Sequence, residues 1–310
     1  MPRHDQLFKD LFRAFFPDLI HLVAPEVAER LILGSRRFVD KELFSDQPEG
    51  DRAELDLLAE VPVRDGPSEW ILVHVEIEGE HRHEMARRMW RYYRLLRLRH
   101  PERAVLPIVV LLSGGRGGVH WCRVRETLFD EVEIGTFQYL AFGLSSAPAD
   151  EYVERPEALA WALAALMRWP GGDPVEHKIA CLRPIAKAEL RELDRFQLLN
   201  IVETYVQLDE NDTERYAEAL ADAPQEVTIM EMTWAEQMMA KGEARGEARG
   251  RAEGEVRGLR LALRRFLERR FGTLPEACER RLAAIDEVET LEQMSARAAD
   301  VDSLDELGLA

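Results

Sequence analysis

Cysteine is scarce in this chain. Cys122, Cys181 and Cys278 are the three in 310 residues, and none belongs to a CxxC pair. That argues against a disulfide framework and a cysteine zinc site, and points to a reducing compartment. Long apolar runs are missing as well: none approaches the roughly 18 residues of a membrane span. The opening Met1-Pro-Arg-His-Asp has no apolar signal segment. A cytoplasmic protein with no membrane partner is expected. Positive charge is also in short supply. The formal net charge of −17 has the wrong sign for a nucleic-acid binder taken whole. No helix-turn-helix or zinc module stands out to read a DNA end. Gly114-Gly-Arg-Gly-Gly118 lacks the Gly-Lys-Ser/Thr ending of a phosphate loop and reads as a flexible turn.

What is present is a misplaced set of carboxylates. Glu54-Leu-Asp56-Leu-Leu-Ala-Glu60-Val and Trp70-Ile-Leu-Val-His74-Val-Glu76-Ile-Glu78 read as neighbouring strands joined by a turn at Asp65-Gly66-Pro67. Asp56 and Glu76 stand where a buried sheet would want hydrocarbon. Alternation puts Glu54 and Asp56 on one face of their strand, and His74, Glu76 and Glu78 on one face of the next. Two adjacent strands can then bring Asp56 beside Glu76. Buried charges need a partner, and a divalent metal satisfies several carboxylates at once. The competing reading is a half-exposed sheet with these acids in water. His74 reads as a group supporting the metal ligands or as an ordinary hydrogen-bonded sheet residue.

Charge is unevenly spread. His81 to His100 carries seven arginines against Glu84 as the sole acid. Arg87, Arg91, Arg94 and Arg97 lie on this helical segment beside Arg88, with Tyr92 and Tyr93 interleaved. Arginines three apart share a helix side, which suits a phosphate backbone, though the charge pattern by itself slightly favours a solvated face pairing with acids elsewhere.

Periodicity predicts helices over Asp5 to Phe16 and from Pro17 to about Leu33. Strands follow over Ala53 to Val63 and Trp70 to Glu78, then a helix over His81 to Arg99. A central strand over Ala104 to Ser113 and a last strand over Ile134 to Gly143 complete an α-α-β-β-α-β-β core. After Asp150 the patterns are helical: Pro156 to Trp169, Pro184 to Leu208 and Thr213 to Met239. Glycine then recurs about every fourth residue from Gly242 to Gly258, predicting a polar, partly helical connector, since each glycine costs about 1 kcal/mol against alanine. A terminal module follows: a helix over Leu259 to Phe271, a turn at Gly272 to Pro275, a helix through Ile285 and another over Val288 to Ala299. The expected divisions are 1–148, 149–240, 241–258 and 259–310.

Several of these segments resemble a known family. They are His4-Asp-Gln-Leu-Phe-Lys-Asp-Leu-Phe12, the strand around Asp56, His74-Val-Glu-Ile-Glu78, and Met85-Ala-Arg-Arg-Met-Trp-Arg-Tyr92. In order and spacing they are similar to the Rpn (recombination-promoting nuclease) and transposase-related family of the PD-(D/E)XK nuclease superfamily. Arg264 to Pro275 and Ser303 to Leu307 resemble a small helical domain of unknown function often attached to such proteins. The resemblance implies an α/β fold: a restriction-endonuclease-like mixed sheet flanked by helices, followed by an α-helical C-terminal half. It implies a Mg²⁺-dependent (or Mn²⁺-dependent) DNA endonuclease linked to recombination or mobile elements, with Asp56 and Glu76 as metal ligands and Glu78 as a third catalytic position. Glu78 stands where the superfamily has lysine and the Rpn-like group commonly glutamine. Glutamate can ligate metal or accept a proton, but it supplies no positive charge. Lys9 or Arg88 could supply that charge instead, with His74 and Tyr92 in support.

Two functions therefore compete. One is a metal-dependent endonuclease acting on DNA. The other is a catalytically degenerate nuclease fold serving as an interaction module, with a homo-oligomer formed through the C-terminal helices. A transposase in the strict sense is a weaker third, for want of an end-recognition module.

Overall fold

A computed structural model describes residues 2–39, 55–64, 69–80, 84–129, 131–221, 225–301 and 303–309. The expected turn at Asp65 to Pro67, Glu54, and the start of the arginine-rich segment at 81–83 lie outside the described residues. The chain divides into two compact units, Met1–Glu231 and Met232–Ala310.

The first unit opens with helices α1 (Pro2–Ala14), α2 (Phe16–Val23) and α3 (Pro25–Ala28). Phe8, Leu11 and Phe12 recur at helical spacing and are buried. The single helix expected from Pro17 to Leu33 ends at Val23, because Pro25 disfavours the helical conformation at Ala24, which adopts φ −148°. The strands are β1 (Arg37–Phe38), β2 (Leu57–Pro62), β3 (Trp70–Glu80), β4 (Val105–Ser113), β5 (Gly118–Leu128) and β6 (Val132–Gly143), with helix α4 (Met85–Arg99) between β3 and β4. They form one six-stranded sheet in the order β1-β2-β3-β4-β6-β5. The inner pairs β3/β4 and β4/β6 are parallel, and β1/β2, β2/β3 and β5/β6 are antiparallel.

The fold is thus mixed α/β, with a mixed sheet flanked by helices. Val73, Val75, Ile108, Val110 and Phe142 are fully buried on one face. On the other, Leu58, Leu72, Tyr92 and Leu96 form one apolar cluster, while Val109, Leu111, Tyr139 and Ala141 pack with Met85 and Met89. Helix α4 therefore covers the face that carries the even-numbered side chains of β3. Burial on both faces explains why β4 reads as an unbroken apolar run.

Two strands escape the sequence reading. β1 is only two residues long. β5 lies at the sheet edge, where His120, Cys122 and Val124 face α4 and alternate with more exposed Trp121, Arg123 and Arg125. Its outward arginines hide an otherwise regular two-residue alternation. The turn before it is held tightly. Gly114, Gly115 and Gly118 have positive φ, and a Cβ on Gly117 would fall 2.3 Å from the Ser146 backbone. The glycines of this turn serve close backbone approach rather than looseness.

After β6 the described elements are helical. These are α5 (Ala149–Val153), α6 (Ala158–Leu163), α7 (Pro174–Lys187), α8 (Glu192–Tyr205), α9 (Glu210–Ala221) and α10 (Gln225–Phe271), with a 3-10 turn at Ala164–Leu166. Pro184 was expected to begin a helix but lies near the end of α7. That helix instead starts at Asp173, whose carboxylate accepts from the Val175 and Glu176 amides. The glycine repeat is helical throughout, inside α10. In the second unit, Leu263 and Leu267 pack with Cys278 and Leu282 of α11 (Glu276–Ala283) and Leu291 and Met294 of α12 (Val288–Arg297). Gly272, at φ 82°, ends α10 in the left-handed conformation.

Candidate functional site

The antiparallel register Leu57↔Val75 sets Asp56, just before β2, against Glu76. The two residues clasp each other. The Asp56 amide donates to Glu76 Oε1 at 3.2 Å, and Asp56 Oδ2 accepts from the Ile77 amide at 2.8 Å. His74, two residues before Glu76 on the same face, reaches Glu76 Oε1 through Nε2 at 2.9 Å. A carboxylate only accepts, so Nε2 carries the proton. His74 and Glu76 are essentially inaccessible, and Glu78 is 7% exposed. The wet sheet face considered from sequence is therefore not what forms.

Two cations complete the cluster. Lys9 Nζ, on α1, lies 2.8 Å from Asp56 Oδ1. Arg88, on the first turn of α4, lies 2.5 Å from Glu78 Oε2 and 3.6 Å from Glu76 Oε2. The Tyr92 ring meets the His74 ring edge-on at 5.5 Å. Asp56, Glu76, Glu78, Lys9, His74, Arg88 and Tyr92 thus belong to one constellation. Arg87, Arg91 and Arg94 are exposed along α4, with Arg94 over the Trp90 ring at 5.6 Å. Arg97 departs from that stripe: its guanidinium donates to the Arg103 carbonyl.

The electrostatics follow from burial. Among the described residues, Lys9 and Arg88 are the cations that meet these carboxylates. Burial raises the Asp56 pKa and the Glu76 charge adds to the rise, against the opposing pull of Lys9 and the Ile77 amide. Burial, with Glu76, likewise holds the Tyr92 hydroxyl protonated. At Arg88 burial disfavours the charge, but Glu76 and Glu78 outweigh it and raise the pKa. A raised carboxyl pKa means that the folded state binds a proton the unfolded chain has already lost. The Asp56 charge therefore weakens the fold at neutral pH, and this penalty lifts as pH falls towards the ordinary 3.8. Measured against Asp56→Asn, wild type is expected to gain stability on acidification from neutrality. Urea melts across that window check the sign, and a loss relative to the variant would contradict it.

Among the described residues, no group of three or more His, Cys, Asp or Glu side chains is arranged to hold a metal ion. Glu78 is engaged by Arg88. What remains among the described residues is an oxygen-only pair, Asp56 and Glu76. That donor set fits Mg²⁺, which is commonly held by one or two carboxylates plus substrate phosphate and keeps several waters. It does not make an all-protein cage.

The sequence reading passed over a second feature on this face. Glu76 and Glu78 are in register with Val109 and Leu111 of β4, and these two line a cavity of about 230 Å³ together with Arg116, His120, Cys122 and Tyr139. Alternation along β5, once counted, would have grouped His120 with Cys122. No family model matches this chain, and no curated protein or solved structure does either.

Proposed function

We propose that this chain is a Mg²⁺-dependent nuclease of the PD-(D/E)XK type, hydrolysing phosphodiester bonds in DNA, with Asp56 and Glu76 as the metal-holding carboxylates. The observation that carries this reading is the mutual clasp of these two buried carboxylates, set side by side on adjacent strands. Mg²⁺, when bound there, supplies Lewis acidity at the phosphate; Mn²⁺ can substitute.

The chain's own groups take the remaining roles. His74 fixes the Glu76 carboxylate by donating from Nε2. Glu78 supplies no positive charge and instead holds Arg88 at the site. Lys9 pairs with Asp56, and its flexible ammonium can exchange that carboxylate for a phosphate oxygen as substrate enters. Arg87, Arg91 and Arg94 offer exposed positive charge to the flanking backbone, so binding should weaken steeply with salt despite the acidic whole.

Plasmid cleavage tests the reading. Wild type should nick DNA in Mg²⁺ and stop in EDTA, while Asp56→Asn should not cut; equal cutting by both would remove this site from the chemistry. Lys9→Met has a separate signature. It leaves the Asp56 carboxylate buried without its ammonium, at a cost of about 3 kcal/mol. Millimolar Mg²⁺ should recover more stability in this variant than in wild type. Thermal melts with and without Mg²⁺ measure that difference, and an identical response in both proteins would contradict a cation site at Asp56.

A second reading is a non-catalytic interaction protein that oligomerises through its C-terminal helices. The Arg88–Glu78 ion pair favours it, because a carboxylate occupies the lysine position. Absence of metal binding, together with an oligomer lost on truncation after Met239, would support it.

A further inference from the structure

The acidic cluster does not end at β3. One strand further along the same face, about 4.8 Å away, Val109 and Leu111 stand level with Glu76 and Glu78 and open into the cavity of about 230 Å³. Its apolar lining is completed by Ala141 of β6 and by Met85 at the start of α4. Among the described residues, no carboxylate lines it.

The polar groups around it are few and specific. The Tyr139 hydroxyl, buried beside Cys122, has its pKa raised by burial and remains a phenol. His120 Nδ1 lies 3.3 Å from the Gly118 carbonyl. A carbonyl accepts, so Nδ1 carries the proton and Nε2 is left as an acceptor. Arg116 is exposed at the rim on the glycine-rich turn. That turn is fixed by two close approaches. A Cβ at Gly143 would meet the Arg116 carbonyl at 2.0 Å, and one at Gly117 would meet Ser146. Arg116 is therefore carried on a defined backbone.

Size and chemistry together select a ligand. An engineered apolar cavity of about 150 Å³ in another protein accepts a benzene ring. The larger space here suits one heterocyclic ring system with its exocyclic groups, and it is too small for a base pair. Neutral donors and acceptors on an apolar lining match the edge of an uncharged heterocycle, and an arginine at the mouth matches an anion.

We propose that this cavity receives a single unpaired nucleobase of the nucleic-acid substrate, with the adjoining phosphate against Arg116 and the next phosphodiester beside Asp56 and Glu76. This rests on the nuclease reading and deepens it. The preferred substrate is then single-stranded, or a duplex from which one nucleotide is extruded at the cost of its stacking and pairing.

Binding in EDTA separates this idea from catalysis. The probes are a twelve-nucleotide single strand and a backbone oligomer of equal length with every base replaced by tetrahydrofuran. Fluorescence anisotropy should show the base-bearing strand binding at least tenfold more tightly. Ala141→Leu, which fills the cavity, should remove most of that advantage and leave the abasic oligomer unaffected. Tyr139→Phe, a milder change kept in case Ala141→Leu does not fold, should weaken only the base-bearing strand. Arg116→Ala should weaken both. Equal affinity for the two oligomers, or no effect of either cavity variant in a protein that melts normally, would overturn the proposal. Base-dependent binding with no cleavage under any metal would sink the nuclease reading and keep the pocket. Cleavage indifferent to both cavity variants would do the reverse.

Discussion

A Glu76→Gln protein should lose Mg²⁺-dependent cleavage by at least about a hundredfold, the lower bound for removing a positioned catalytic group. It should nevertheless remain folded. Glu76 Oε1 accepts from His74 and from the Asp56 amide, and a glutamine oxygen can take both bonds. Its amide nitrogen then faces Arg88, donor against donor, where Glu76 Oε2 now lies 3.6 Å from the guanidinium. Leaving one buried group without its partner costs about 1–3 kcal/mol, which a domain of this size tolerates. Rates on plasmid DNA, with circular dichroism on the same sample, test this. Retained cleavage in a folded variant would remove Glu76 from the proposed metal site.

Gly143→Ala should do the opposite and break the fold. A Cβ there falls 2.0 Å from the Arg116 carbonyl and 3.0 Å from its carbon. Both are backbone atoms, so no side chain can swing aside. Gly143 ends β6 and pairs with Leu111 and Gly118. Relief requires the glycine-rich turn to pull away from the sheet, with an expected loss of about 4 kcal/mol or more. Gly254→Ala, where nothing lies within 4 Å, is the matched control and should be neutral or stabilising because alanine favours helix. Denaturant melts of the two variants should differ in sign. Equal stability would mean that the turn is not locked against β6.

Much of the sheet was legible because burial on both faces leaves an unbroken apolar run, as in β4. Asp56 and Glu76 could be paired from sequence because each interrupts such a run and the strands are neighbours. Lys9 was harder to place. It lies far from Asp56 in the chain, and only the packing of α1 brings them to 2.8 Å. Arg97 shows the converse. Its spacing matches Arg91 and Arg94, but the Arg103 carbonyl beyond the helix end claims it, and no periodicity reports that. β5 was missed because its outward face carries Arg123 and Arg125, and with it went the cavity. Pro184 misled because proline favours the first turn of a helix, while the Asp173 cap starts α7 a full ten residues earlier.

A divalent cation held between Asp56 and Glu76 can be detected by binding alone. Mn²⁺ titrated into the protein and followed by electron paramagnetic resonance counts bound ions without DNA or turnover. Wild type should bind Mn²⁺ with an affinity that falls on acidification as Asp56 takes up its proton, and both Asp56→Asn and Glu76→Gln should lose that binding. Undiminished binding in the two variants, or none in wild type, would contradict a divalent-cation site between these carboxylates.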